Sequence, residues 1–414
     1  MRILVVGYGA REHALAWKLA QEAEVIVAPG NPGIAEDCEC VSVAVKDVEG
    51  LIDLCRERDI DLVVVGPEDP LIDGLADALM REGILVYGPI AAAAQLEGSK
   101  AFSKAVMRDA VVPTAEFESF VNADKAKAYS RERFEKRSGV AVKASGNALG
   151  KGVIVCGTIE EADAAIEKML VAKEFGPAGE VIVIEDRLEG PEFSLITIVG
   201  DHNYISLPVA QDYKRVFNGD QGPNTGGMGS HTPVEWLEPS FVQRVEERVV
   251  GPVIEELSSR GIPYRGTLFS GLMMDAGTAH CLEYNVRFGD PETESLMLRV
   301  GNGLARALLQ AASGERIQAA EIKPNAVVSV MIASGGYPGN YQKGLPIAIG
   351  QLPKGVKLFH AGTAMKEGQL VTNGGRVICV SAEANTLEEA RTLAYEGAKA
   401  ITFGGAFYRT DIAT

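Results

Sequence analysis

The chain has 414 residues, room for roughly two to four domains at ~100–200 residues each. Forty Lys and Arg against 56 Asp and Glu leave a formal charge of -16, which excludes a general nucleic-acid binder, because phosphate backbones are held by surplus cations. A composition 46% hydrophobic and 23% charged excludes a disordered chain, and the apolar runs fall far short of the ~20 residues of a membrane span.

The start of the chain lacks a charged stretch followed by an apolar one, so the expectation is a cytoplasmic protein without a secretory signal. Cys38, Cys40, Cys55, Cys156, Cys281 and Cys379 are scattered, with no C-x-x-C and no clustered His. They read as reduced thiols rather than a zinc site or a disulfide framework.

Apolar runs at 3–6, 25–28, 62–65 and 85–87 predict strands, and helical stretches carrying Leu15, Leu19 and 51–58 lie between them. Strands alternating with helices predict an open parallel α/β sheet. Gly/Pro-rich loops follow these strands at 29–33, 66–70 and 88–89. Ligands bind such sheets at the carboxyl ends of the strands, so these loops should line one cleft. A helix is expected over 98–108, then strands at 140–144, 152–156 and 181–185 in a small mixed subdomain. Hairpins are expected around 200–203 and 275–277, and a Gly-rich loop over 218–229. A last unit begins after Pro324, with strands at 327–333, around Leu358 and at 377–380. Thr386 and Glu389 form a capping box ahead of its helix. The fold class is therefore α/β, with α+β character in parts.

Gly7-Tyr8-Gly9 sits between strand and helix, but position 12 holds Glu and no acidic residue ends the second strand. That argues against NAD or FAD and leaves a helix N-terminus suited to a sugar phosphate, with Arg11 in its first turn. The stretch 146–152 fails as a P-loop, since Gly152 follows Lys151 where a hydroxyl residue is needed. Strands on both sides make it a glycine-rich hairpin able to cover phosphates, with Lys143 behind it. On a strand, Glu283, Asn285 and Arg287 share a face while Tyr284 and Val286 turn to a core. A carboxylate, an amide and a guanidinium side by side suit a metal–phosphate site. Lys214 and Arg215 add cations beside the glycines of 222–229.

These stretches resemble the phosphoribosylamine–glycine ligases (glycinamide ribonucleotide synthetases), ATP-grasp enzymes of purine synthesis. The resemblance rests on 7–13 (GYGAREH), 29–31, 65–68, 96–100 (LEGSK), 222–229 (GPNTGGMG), 285–293 and 372–377, in order from the first residue to Asp411. It implies an N-terminal α/β substrate domain over 1–99, an ATP-grasp domain over 100–323 with a small lid subdomain at about 120–190, and a mixed C-terminal domain over 324–414. It implies ATP contacts at Lys100, Lys143, Gly146, Gly150, Lys151, Gly152, Glu185, Asp186, Arg187, Leu188, Glu192, Arg215 and Asn224. Glu283 and Asn285 would bind Mg2+ or Mn2+, and Arg287, Asp212 and Lys214 would lie near glycine and its acyl phosphate. Substrate candidates are Gly9, Arg11, Asn31, Gly33 and Glu68, with Gly226, Gly227 and Asp290. The partners implied are glycine, 5-phosphoribosylamine and ATP, in a monomer or weak homodimer with no nucleic-acid or membrane partner.

The chain departs from the family pattern at Ala10, Ser145, Asn147 and Leu149. Loss of a carboxylate at 145 bears on lid closure rather than on ATP binding. Another ATP-grasp ligase with a different acid or amine also fits the residues. A non-catalytic nucleotide binder fits less well, because Glu283, Asn285 and Arg287 are all present.

Overall fold

The computed structural model describes residues 1–146, 148 and 152–414. The expected ATP contacts Gly150 and Lys151, and the departures Asn147 and Leu149, lie outside the described residues.

Five parallel strands open the chain, in the order Glu39–Cys40, Glu24–Pro29, Arg2–Gly7, Leu62–Val65, Val86–Tyr87. A parallel sheet is covered on both faces, so its strands must be apolar on both. Ile3 and Val5 pack into one core, and Leu4 and Val6 into the other. The helix expected over 98–108 is Lys100–Asp109, and a further helix, Ala91–Gly98, leads into it. Ser99 separates the two: its backbone is extended and its Oγ accepts the Phe102 N–H at 3.2 Å as an N-cap. Ser145 adds to that start, its Oγ accepting the Ala101 N–H at 3.0 Å. Serine at the departing position 145 thus anchors the helix that begins at Lys100.

The lid is an antiparallel sheet in the order Phe117–Phe120, Ile182–Asp186, Val140–Ala144, Val153–Cys156. Val140, Val142, Ala144, Ile182 and Ile184 face its own small core. The alternate residues Ala141, Lys143, Val183 and Glu185 therefore face the opposite side, toward the cleft. Facing them is a second antiparallel sheet, Asn203–Ser206, Glu192–Gly200, Arg265–Asp275 and Thr278–Asn285. A bulge opposite Gly271 and Leu272 shifts the register between Cys281 and Glu283. Strict alternation would place Glu283 with Cys281 in the core. The extra residue reverses the phase, so Glu283 and Asn285 face the cleft while Tyr284 is buried.

The third large sheet runs Gln211–Asp212, Gly229–Thr232, Ala326–Ala333, Arg376–Ala384, Val356–His360. Its first two strands come from the middle of the chain, so the sheet crosses the expected boundary at 324. The loop expected over 218–229 contains a strand, Gln221–Asn224, paired with Arg215–Phe217. That strand is exposed throughout, so it carries no apolar alternation to betray it. The closing helix, Leu387–Lys399, starts at the expected Thr386–Glu389 capping box. No helix of the described residues is long and apolar enough to cross a membrane, and all six cysteines are free thiols.

Candidate active site

The two antiparallel sheets and the N-terminal loops enclose a cleft of about 870 Å³. Most of the sequence-predicted residues line it: Lys100, Lys143, Gly152, Glu185 to Leu188, Glu192, Arg215 and Asn224. So do Asp212, Lys214, Glu283, Asn285, Arg287, Arg11, Glu68, Gly226 and Asp290.

One end is built on the lid strand Ile182–Asp186. Glu185 is buried and pairs with Lys143 and with Lys104, the latter at 2.6 Å. Burial pushes its carboxyl up, but the two lysines outweigh that and hold it below the usual range. Alternation turns the next carboxylate away: Asp186 takes two 2.7 Å hydrogen bonds from Arg133. Arg187 and Leu188 follow it along the cleft. Lys104 is a cleft residue that the motifs missed, although its position one helical turn after Lys100 is a usable signal. Gly146 does not line the cleft; its N–H donates to Ala178 O at 3.0 Å and its Cα side packs on Ala178.

Across the cleft, Glu283 stands among cations. Burial raises its carboxyl, but Lys214, Lys100, Lys143 and Arg287 outweigh burial and lower it. Asp212, by contrast, is pushed up to about 8, by burial and by Glu292, Glu192 and Glu283, against Lys214. Lys214 bonds Glu192 at 2.7 Å, and its ammonium is held well above the usual range, because Glu192, Asp212 and Glu283 outweigh burial. The pocket thus has excess negative potential at Asp212 and a cation-ringed carboxylate at Glu283. The Asn285 amide satisfies its neighbours when its nitrogen donates to Tyr284 O at 3.2 Å and Glu97 Oε1 at 3.3 Å, which turns its oxygen to the other side.

The Glu283 carboxylate has no hydrogen-bond or ion-pair partner among the described residues and opens on the cleft. A free carboxylate beside a free amide oxygen fits a hard divalent cation. Among the described residues no group of three or more His, Cys, Asp or Glu converges on one point. Such a cation would take most of its oxygens from phosphates and water, as magnesium does.

The other end is built by the N-terminal loops, where the glycine loop has a different occupant from the one expected. The Gly9 N–H donates to Glu12 Oε2 at 2.7 Å, and Glu12 also takes Arg11 Nε at 2.6 Å. A Cβ at Gly7 or Gly66 would collide with Glu12. The chain's own carboxylate therefore fills the place expected for a phosphate at Gly9. Asn31 is likewise committed to the fold: its amide nitrogen donates to Tyr8 O and His360 O, and its oxygen caps Ile34. Gly33 is buried against His360 and His13, and Gly227, at φ +108°, lets Pro291 approach. None of these four lines the cleft, whereas Arg11, Glu68, Gly226 and Asp290 do. Arg287 bridges Glu97 at 3.1 Å and Glu68 at 3.4 Å. Arg376, supplied by the C-terminal sheet, bonds Asp290 at 2.9 Å. Glu97, Glu292 and Arg376 line the cleft too and were not among the expected residues, because only the fold brings them there.

Two antiparallel sheets gripping a cleft lined by lysines and oxygen ligands define an ATP-grasp ligase. The comparisons agree. Residues 1–97, 98–293 and 327–414 match the N, ATP-grasp (A) and C domains of phosphoribosylglycinamide synthetase. The phosphoribosylamine–glycine ligase of Vibrio vulnificus (strain CMCP6) is 45% identical, covering 100% of this chain and 97% of its own. That of Rhizobium meliloti (strain 1021) is 43% identical over 100% of this chain and 98% of its own. The crystal structure of the Thermotoga maritima enzyme superposes with a TM-score of 0.88 at 36% identity, covering 100% of both chains. A biotin carboxylase domain from Hydrogenobacter thermophilus, at 20% identity, TM-score 0.73 and coverage of 98% of this chain and 91% of its own, shares the fold alone.

The chain belongs to the phosphoribosylamine–glycine ligase family. It is an ATP-dependent carbon–nitrogen ligase that joins glycine to 5-phosphoribosylamine, giving glycinamide ribonucleotide, ADP and phosphate in purine synthesis.

Proposed function

We propose that the ligation passes through glycyl phosphate. A carboxylate is a poor acyl donor because its oxygen leaves badly. A glycine carboxylate oxygen attacks the γ-phosphorus of ATP and ADP leaves. The amine nitrogen of phosphoribosylamine then attacks the activated carbonyl, loses a proton, and phosphate departs. The observation that carries this reading is Glu283, a carboxylate without a side-chain partner among the described residues, set among Lys214, Lys100, Lys143 and Arg287. So many cations around one anion suit a place where phosphate charge gathers.

In this reading Lys100 and Lys143 hold the phosphates, Glu185 holds Lys143 and Lys104 in place, and Arg187 and Leu188 face adenine. Glu192 meets ribose, and Arg215 and Asn224 close over the nucleotide from the exposed hairpin. Asp212 attracts the glycine ammonium, while Lys214 and Arg287 neutralise the carboxylate and the moving phosphoryl group. Arg11, Glu68, Gly226 and Asp290 bound the phosphoribosylamine end. Glu283 and the Asn285 oxygen would hold Mg2+ or Mn2+, which when bound supplies Lewis-acid neutralisation of phosphate charge. Closing the lid keeps water from the acyl phosphate. The functional units are 1–99, 100–323 with a lid at about 120–190, and 324–414, in a cytoplasmic monomer or weak homodimer.

The test is trapping. Enzyme with ATP, glycine, hydroxylamine and either Mg2+ or Mn2+, without phosphoribosylamine, is expected to yield glycine hydroxamate together with ADP. Absence of hydroxamate under conditions that support ligation would remove the intermediate.

A further inference from the structure

Behind Asp290, at the phosphoribosylamine end, lies a second carboxyl group that the chemistry above leaves unused. Glu294 sits on the helix Glu292–Arg299 and is fully buried, at 0% exposure. Neither of its oxygens meets an N–H or O–H donor among the described residues, and neither does Asp290 Oδ1. The two carboxyls face each other within hydrogen-bonding range. Among the described residues one cation bonds the pair: Arg376 Nη2 meets the other oxygen of Asp290 at 2.9 Å, while Arg11 attracts Asp290 without an ion-pair contact. A further neighbour is Cys379, a buried thiol.

Two buried carboxylates cannot both stay ionised with a single guanidinium bonded to them without a large repulsion. A proton shared between them removes the repulsion and satisfies two otherwise orphaned oxygens with one hydrogen bond. Asp290, in contact with Arg376, is the one to keep the negative charge. Burial and the Asp290 charge both drive the Glu294 carboxyl well above the usual range, in the same direction.

The geometry shows what this fixes. Arg376 Nη1 also donates to Gly226 O at 2.5 Å and to Asp290 O at 3.2 Å. The Gly226 N–H donates to Tyr337 Oη at 3.0 Å. The C-terminal unit thereby grips the glycine loop and the Asp290 turn together, and both line the cleft. If Asp290 turned to find another partner, Arg376 would lose its carboxylate and the loop its clamp.

We propose that Glu294 is a positioning residue that remains protonated and donates a hydrogen bond to Asp290 Oδ1, locking the Asp290–Arg376 pair that shapes the phosphoribosylamine end of the cleft. The proposal rests on the placement of phosphoribosylamine given above.

The test compares E294Q, E294A and D290A in the full-length enzyme. Glutamine is neutral and keeps a donor, so E294Q is expected to hold KM for phosphoribosylamine within about twofold. E294A leaves Asp290 Oδ1 without a donor and is expected to raise that KM roughly tenfold, the size of one buried hydrogen bond. KM for ATP and for glycine should stay put in both. Infrared difference spectra of wild type against E294Q are expected to show the loss of a protonated-carboxyl C=O band. Unchanged KM in E294A alongside a raised KM in D290A would overturn the role of Glu294 alone. An unchanged KM in D290A would overturn the substrate placement itself. If E294A fails to fold, a missing infrared band, or an E294Q whose KM for phosphoribosylamine rises roughly tenfold, still overturns the proposal.

Discussion

Two carboxylates face each other across the cleft, and the protein treats them in opposite ways. Glu185, on the lid, is already neutralised by Lys104 and Lys143. The Glu283 carboxylate, on the opposing sheet, is surrounded by cations yet bonded to none of the described residues. The first is part of the scaffold that aims two lysines. The second is left open for what the enzyme binds. A buried charge with protein partners speaks of structure, and one without them of a ligand.

The contrast can be broken by substitution. E283Q should cut kcat by on the order of 10²–10³ while leaving the melting temperature nearly unchanged, measured by steady-state kinetics and calorimetry. E185Q should do the reverse in kind. It strands two buried lysines, so unfolding in urea should show a loss of about 3 kcal/mol, with a higher KM for ATP. If both substitutions cost stability equally, the distinction between the two carboxylates fails.

Acid sharpens the same comparison. Burial pushes His231 down to about 4, and burial with His13 and Lys357 does the same to His360. Both groups have folded values below the ordinary 6.5, so the unfolded chain binds more protons between pH 6.5 and about 4. Stability should therefore fall as pH drops through that window, by roughly 1.4 kcal/mol per pH unit per histidine. Glu185, whose folded value is depressed, keeps its contribution above its unfolded value of 4.5 and loses it as pH falls from there. H231Q should flatten the slope in urea titrations at pH 7 and pH 5, and E185Q should leave it unaltered. The smallest effect belongs to Glu12, a carboxylate spent inside its own helix end. E12A should lower stability by about 1 kcal/mol.

Much of the site could be read from residues alone. The alternation at Glu283 and Asn285 was legible because the bulge that sets their phase falls just before them, leaving the local pattern intact. The lid strands were legible because a half-covered sheet needs a period of two. Lys104, Glu97 and Arg376 were not, since each reaches the cleft only through packing that joins distant segments. Glu12 shows a misread signal. The same residue that breaks the dinucleotide fingerprint stands three positions after Gly9, the capping-box spacing, and it fills the helix end itself. The boundary at 324 was read from a change of pattern, whereas the sheet pairs Gly229–Thr232 with Ala326–Ala333 across it.

Asn31 ties Tyr8 O near the beginning of the chain to His360 O near its end. Arg376 and Tyr337 do the same for the glycine loop in the middle. The last ninety or so residues are thus a buttress rather than an appendage. A shortened variant ending at the middle segment would keep the cleft lysines yet arrive with the glycine loop and the Asp290 turn unbraced, which makes the C-terminal unit a poor place to trim in engineering this catalyst.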